Sequence, residues 1–184
     1  MAGDRVALIA LLRERSVRFG DFVLASGARS PWYIDCRLTT MSAPGQVLIG
    51  PLGLGAIRDA GWRPAAIGGL TMGADPVAYA IAAASVSSGP AVDAFSVRKE
   101  AKRHGTGRRI EGNFKRGDRV VVVEDVITSG GSALMAIDAI REEGGEVLGL
   151  LALVDRAAGG LEKIEATGVP VRVLVNAGEL GIGS

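Results

Sequence analysis

Val120-Val-Val-Val-Glu-Asp-Val-Ile-Thr-Ser-Gly-Gly-Ser-Ala133 runs from a continuous apolar stretch, through two adjacent acids, into a tract of small residues and then a helical pattern. Four valines in a row suit a strand buried on both faces, the habit of parallel sheets covered by helices. The flanking chain carries the same alternation. Strands are predicted at Ala65 to Ile67, Val92 to Val97, Val120 to Val123, Val147 to Val154 and Val171 to Val175, with helices at Pro76 to Ala84, Ser132 to Glu143 and Leu161 to Ala166. The expected fold is therefore α/β, a mainly parallel central sheet flanked by helices.

In such sheets ligands bind beyond the carboxyl ends of the strands. Glu124 and Asp125 sit at one such end. After them, Thr128, Ser129, Gly130, Gly131 and Ser132 have small side chains or none, so their backbone N–H groups can approach an anion closely. The helix that follows points its unpaired N–H groups and positive dipole end the same way. A Walker loop would need a lysine after its last glycine, and a dinucleotide fingerprint would need G-x-G-x-x-G directly after the strand. The segment has neither. Carboxylates that can accept hydrogen bonds from ribose hydroxyls, directly or through a divalent cation, beside a phosphate cradle suit a sugar phosphate. An ordinary strand-to-helix turn, with Asp and Thr as caps, remains the alternative reading of these residues.

The chain has 184 residues, 48% of them hydrophobic and 22% charged, which fits one globular domain with a substantial core. Its 21 basic and 20 acidic side chains almost cancel, so it carries no global field for nucleic acid or an anionic membrane, and any anion has to be bound locally. No stretch approaches the roughly 20 apolar residues of a membrane span, and the N-terminus lacks a signal-peptide profile. A cytoplasmic protein is expected. Cys36 is the one cysteine, which rules out an internal disulfide and a thiolate cluster and suggests buried filler rather than a nucleophile.

Upstream, Val6, Leu8, Ile9, Leu11 and Leu12 recur at helical spacing between Asp4 and Arg15. Extended runs at Phe22 to Leu24 and Trp32 to Cys36, either side of the turn-forming stretch Ser26 to Pro31, read as a small hairpin or covering flap. Ser42 to Ala60 reads as helix, kinked or divided at Pro51. Arg98 to Asp118, mostly charged and small residues between two core strands, reads as one long loop; a loop of that length in a compact domain is usually functional or mobile.

Four apolar residues, two acids, two apolar residues and Thr-Ser-Gly-Gly-Ser resemble the signature by which type I phosphoribosyltransferases bind phosphoribosyl pyrophosphate (PRPP). Three further segments narrow the resemblance to the orotate phosphoribosyltransferases. Arg98-Lys-Glu-Ala-Lys-Arg-His-Gly105 is similar to that family's R-K-E-x-K-x-H-G loop. Phe22-Val-Leu-Ala-Ser-Gly-Ala-Arg-Ser-Pro-Trp-Tyr-Ile-Asp35 resembles its F-x-L-x-S-G-x-x-S-P-Y segment, and Val154-Asp-Arg156 its later D-R element.

The resemblance implies one phosphoribosyltransferase domain over 1–184, with an N-terminal hood over about 1–40 and a mobile catalytic loop over about 98–118. The implied reaction transfers the phosphoribosyl group of PRPP to orotate with magnesium, giving orotidine 5′-phosphate and pyrophosphate in pyrimidine synthesis. Lys102, His104 and Asp125 are implied as catalytic. PRPP would be held by Arg98, Lys99, Lys102, His104, Glu124, Asp125, Val126, Ile127, Thr128, Ser129, Gly130, Gly131 and Ser132. Orotate would meet Thr128, Arg156, Tyr33 and Ile34. Magnesium is expected to ride on PRPP with no direct protein ligand, Glu124 and Asp125 lying nearby. A homodimer sharing loop 98–118 across its interface is implied too, with no nucleic acid or membrane partner.

Physical chemistry gives these residues a purpose. Departure of pyrophosphate leaves a cationic, oxocarbenium-like sugar and an increasingly negative leaving group, which loop cations stabilise. The Arg156 fork suits a carboxylate, which orotate has and uracil lacks, although Arg156 could instead pair with Asp155. Two departures from the family stand out: Ala25 and Met72 occupy positions where lysine is common. A phosphoribosyltransferase for another base, or a non-catalytic PRPP-sensing regulator of the same fold, are the competing readings; a regulator usually adds a DNA-binding module or basic surface.

Overall fold

The computed structural model describes residues 2–23, 27, 29–100 and 109–182. Its centre is a six-stranded sheet. In chain order the strands and helices are α1 (Ala2–Arg15), β1 (Val17–Val23), β2 (Arg29–Ile34), α2 (Arg37–Thr40), α3 (Ala43–Asp59), β3 (Ala66–Leu70), α4 (Ala74–Ser85), β4 (Asp93–Val97), β5 (Ile110–Gly112), β6 (Arg119–Ile127), α5 (Gly131–Glu142), β7 (Glu146–Asp155), α6 (Gly160–Glu165) and β8 (Val171–Asn176), followed by a 3-10 turn at Ala177–Leu180. The sheet order is β5-β4-β3-β6-β7-β8, parallel throughout except for the edge pair β4 and β5. β1 and β2 form a separate antiparallel hairpin.

Side-chain alternation sends successive strand residues to opposite faces, and here both faces are covered. Val121 and Val123 of β6 pack with Leu151 and Leu153 of β7 against Leu8 and Leu12 of α1, Ile49 and Ile57 of α3 and Ile81 of α4. Val120, Val122, Leu150 and Ala152 face the other way, onto Ile137 and Ile140 of α5 and Ile164 of α6. All four valines are 0% exposed, which is why the strand reads as an unbroken apolar run. A single fully buried aliphatic side chain of this kind contributes on the order of 2 kcal/mol.

Several sequence expectations shift. α1 buries Leu8 and Leu12, whereas Val6 is 69% exposed, so the inward stripe is narrower than its apolar spacing suggested. The hairpin's first strand begins at Val17 rather than Phe22, and its second includes Ser30 and Pro31; Leu24, Ala25, Ser26 and Ala28 lie outside the described residues. α3 runs undivided through Pro51. Proline there withdraws a hydrogen bond from the carbonyl of Val47, a residue 73% exposed and open to water instead. Ser42 starts that helix by accepting from the Gly45 backbone N–H at 3.1 Å. The stretch Arg98 to Asp118 is not wholly loop, because β5 pairs antiparallel with β4 through Phe95–Gly112 and Val97–Ile110.

Candidate active site

The sheet order reverses at β3. Its chain continuation, β4, lies on one side and β6 on the other, and a crevice opens at the carboxyl ends of such neighbours. A cavity of about 490 Å³ occupies it. β3 supplies Leu70 and the turn Thr71 to Gly73, β6 supplies Glu124 to Val126 with Thr128 and Ser132 beyond, β7 supplies Arg156, and Lys99 follows β4. Tyr33 to Arg37, at the exit of the hairpin, cover it.

β6 extends past its valines to Ile127, paired with Asp155 of β7, so Glu124 and Asp125 are strand residues rather than the start of a loop. Glu124 is 6% exposed, and its Oε2 has no hydrogen-bond partner among the described residues. Burial, then the neighbouring Asp125 carboxylate, pushes the Glu124 carboxyl up to about 9. Burial also raises Asp125, opposed by the Val126 backbone N–H, which donates to its Oδ1 at 2.9 Å. Glu124 is thus a neutral acid at pH 7, able to donate as well as accept. Such a pair can offer a donor and an acceptor to vicinal hydroxyls at lower desolvation cost than two carboxylates.

Beyond β6 the backbone turns through Thr128 and Ser129, both exposed, to Gly130 at φ 80°, a left-handed conformation that glycine adopts without penalty. α5 then begins at Gly131, with no side chain capping its first N–H groups. Glu124 and Val126 to Ala133 line a recess of about 90 Å³ at this helix start, the size of a phosphate group's seat rather than a nucleotide's. The loop is braced from behind. A Cβ on Gly160, the first residue of α6, would collide with the Thr128 carbonyl and lie 2.7 Å from the Gly130 nitrogen.

On the β3 side, Thr71 Oγ1 donates to Asp75 Oδ2 at 2.6 Å, and Ser96 Oγ donates to Asp75 Oδ1 at 2.7 Å. Tyr79 lies 3.0 Å from the same serine hydroxyl. This network fixes the turn whose backbone lines the cavity; the Thr71–Met72 peptide bond in it is cis. Met72 lines the cavity at 60% exposure, so no cation fills the place where lysine was expected.

Arg156 lines the cavity without pairing with Asp155. That carboxylate accepts from the Ala157 backbone N–H at 3.1 Å, while the Arg156 backbone N–H donates to the Ile127 carbonyl at 3.0 Å. Burial lowers the Arg156 pKa from its usual value, its Nε is buried without a partner, and its guanidinium carbon lies 4.3 Å over the centre of the Trp32 ring. Tyr33 is 39% exposed with its ring centre 5.7 Å from that of Phe22, and Ile34 is buried beside it.

The structure therefore brings together Tyr33, Ile34, Lys99, Glu124, Asp125, Val126, Thr128, Ser132 and Arg156. Ile127, Ser129, Gly130 and Gly131 join them in the adjoining recess. Arg98 stands apart at the sheet edge, its guanidinium 3.8 Å from Glu111 of β5. Lys102 and His104 lie outside the described residues. Sequence reasoning missed Asp35 and Arg37, which line the cavity as an ion pair at 2.8 Å; the guanidinium holds the Asp35 carboxyl below its usual range. An acid two residues before an arginine is too common to signal this. Cys36 is 1% exposed, and burial, with Asp125 and Asp35 adding to it, keeps its thiol protonated, in keeping with filler.

Known proteins share this fold over nearly the whole chain. Residues 52–173 match the model of the phosphoribosyl transferase domain. The chain is 46% identical to the orotate phosphoribosyltransferase of Streptomyces avermitilis, covering 97% of each protein. It is similar to the crystal structure of the Mycobacterium tuberculosis orotate phosphoribosyltransferase in complex with Fe(III) dicitrate, with a TM-score of 0.88 and 45% identity over 97% of this chain and 99% of that one. The complex of the M. tuberculosis enzyme with PRPP superposes with a TM-score of 0.83 and 41% identity, over 97% and 99% of the two chains.

Proposed function

The chain belongs to the orotate phosphoribosyltransferase family, and from that membership we propose how its site divides the work of joining orotate to PRPP. It is a phosphoribosyltransferase of pyrimidine synthesis: a ring nitrogen of orotate bonds to the anomeric carbon of PRPP, the bond from that carbon to pyrophosphate breaks, and orotidine 5′-phosphate and pyrophosphate leave. The observation that carries the assignment of roles is the half-buried Arg156, its Nε buried without a partner, in the cavity that adjoins the recess at the start of α5.

In this reading the 5′-phosphate sits on Thr128 to Ser132 and the ribose hydroxyls on Glu124 and Asp125. The orotate carboxylate meets Arg156, with Tyr33 and Ile34 against the ring. Pyrophosphate lies toward Thr71 to Gly73 and Lys99, where the backbone N–H groups of Met72 and Gly73 replace the cation that the Met72 side chain cannot supply, the Thr71 N–H being taken by the Val97 carbonyl. Lys102 and His104 complete the cluster around the departing oxygens. Orotate is already an anion at neutral pH, so no general base is required.

Magnesium fits this site as a cofactor carried by PRPP. The carboxyl oxygens of Glu124 and Asp125 are hard donors of the kind it favours, and the unpartnered Glu124 Oε2 can take a hydrogen bond from its hydration shell. When bound, the ion neutralises charge developing on pyrophosphate.

A homodimer is supported by exposed apolar side chains on adjoining helices: Leu38 and Met41 about α2, Val47 on α3, Tyr79 and Val86 about α4. Exposed apolar side chains such as these gain from burial against a second copy. In the proposed dimer the part of loop 98–118 between Lys99 and β5, which holds Lys102 and His104, is shared with the neighbouring subunit's site, while β5 stays in this chain's own sheet. No helix among the described residues is long and apolar enough to cross a membrane, which suits work in the cytoplasm.

The test follows orotate absorbance on mixing purified protein, orotate and PRPP. Consumption that requires magnesium, stops with a chelator and resumes on adding the ion supports the reading. Undiminished consumption with chelator present removes magnesium from it.

A further inference from the structure

Arg156, half-buried, reaches the cavity from the end of β7 without the carboxylate partner that commonly restrains a guanidinium. Asp155 is turned away to cap the backbone of Ala157, Nε has no hydrogen-bond partner, and no acid pairs with the fork among the described residues. What lies against it is the face of Trp32, 4.3 Å from the guanidinium carbon to the ring centre. Trp32 does not line the cavity. It is half-buried in the hairpin and packs against the hydrophobic cluster that also holds Ile34 and Leu153. The ring is thus packed against the core, and it lies against the guanidinium without itself lining the cavity.

From this arrangement we infer that Trp32 is a positioning residue for orotate, holding the plane of Arg156 by a cation–π contact so that the fork faces the substrate carboxylate before it arrives. The inference rests on the reading that Arg156 binds that carboxylate. Arginine loses several rotatable bonds of freedom when fixed, and a guanidinium already resting over a ring has less to lose on binding. An aromatic face accomplishes this without cancelling the charge, whereas a carboxylate in the same place would compete with the substrate. The contact also joins β2 of the hairpin to the end of β7.

The experiment measures orotate and PRPP dependence separately in Trp32→Leu, Trp32→Tyr, Arg156→Ala and the Trp32→Leu/Arg156→Ala double variant. Removing the ring raises the orotate KM about three- to tenfold, the range expected of a partly desolvated cation–π contact, and leaves the PRPP KM within about twofold. Tyrosine, which keeps a π face, restores most of the affinity. In the Arg156→Ala background the leucine substitution adds nothing further. Should Trp32→Leu not fold, Trp32→Met, with more of the original volume and still no π face, replaces it.

An orotate KM unchanged in Trp32→Leu, or a loss of equal size with Arg156 already absent, overturns the inference. So does an equal rise in the PRPP KM, which would mark a general packing defect. If Arg156→Ala itself leaves the orotate KM unchanged, the carboxylate assignment fails first; if Arg156→Ala raises it and Trp32→Leu does not, only the positioning role falls.

Discussion

Replacing Glu124 by Gln removes a pH dependence that the fold builds in. In the folded chain this side chain is 6% exposed, and burial beside Asp125 pushes its pKa from 4.5 to about 9. An unfolded chain ionises it at the ordinary value. Between those limits the native state holds a proton that the unfolded state releases, so each pH unit upward costs about a factor of ten in the folding equilibrium. The sign follows from the raised pKa: the contribution is full below about 4.5, declines through neutrality and is gone above about 9. From about pH 6 to about pH 8 the change is roughly a hundredfold, or about 3 kcal/mol. For a chain of this size that moves the thermal midpoint on the order of 10 °C. Glutamine keeps the shape and does not titrate, and Asp125 is common to both proteins. Thermal unfolding of the two without substrate or magnesium is therefore compared across that range. The native midpoint should fall relative to Glu124→Gln as pH rises. Parallel curves would refute the claim that Glu124 is held neutral.

Four other substitutions probe the rest of the site. Gly160→Ala drives a methyl into the backbone of Thr128 and Gly130, so it should raise the PRPP KM about tenfold and cost about 1–3 kcal/mol of stability; kinetics and urea unfolding read the two effects. Met72→Lys places a cation at the cavity rim and should lower the PRPP KM about threefold in dilute buffer, a gain that shrinks with added salt. Asp125→Asn and Lys102→Ala should each reduce kcat by about a hundredfold or more while leaving the thermal midpoint near its original value, and full activity in both would dismiss their catalytic roles.

The central sheet was legible because its strands are buried on both faces, which leaves long apolar runs such as Val120 to Val123 with little ambiguity. Elements outside that core were harder. The hairpin strand from Val17 has only its first residue fully buried and an irregular register between Phe19 and Phe22, so it carries no clean alternation. β5 is three residues long and is made by its pairing with β4, not by its own composition. α2 is a single turn, below the length at which periodicity can speak. At the site, the residues following β6 were readable from local order: acids, then small residues, then helix. The contact between Trp32 and Arg156 was not, because the hairpin brings together distant parts of the chain that no spacing rule connects. The protonated state of Glu124 likewise follows first from depth of burial, which spacing does not reveal, with the neighbouring Asp125 adding to it.

The central claim is that this site joins PRPP to a base bearing a carboxylate, and the most direct test offers the purified protein PRPP and magnesium with orotate, uracil, hypoxanthine or adenine in turn. Turnover with orotate alone is the predicted result. Comparable turnover of uracil would remove the purpose of Arg156, and PRPP binding with no turnover of any base would make the protein a sensor of PRPP instead of an enzyme that consumes it.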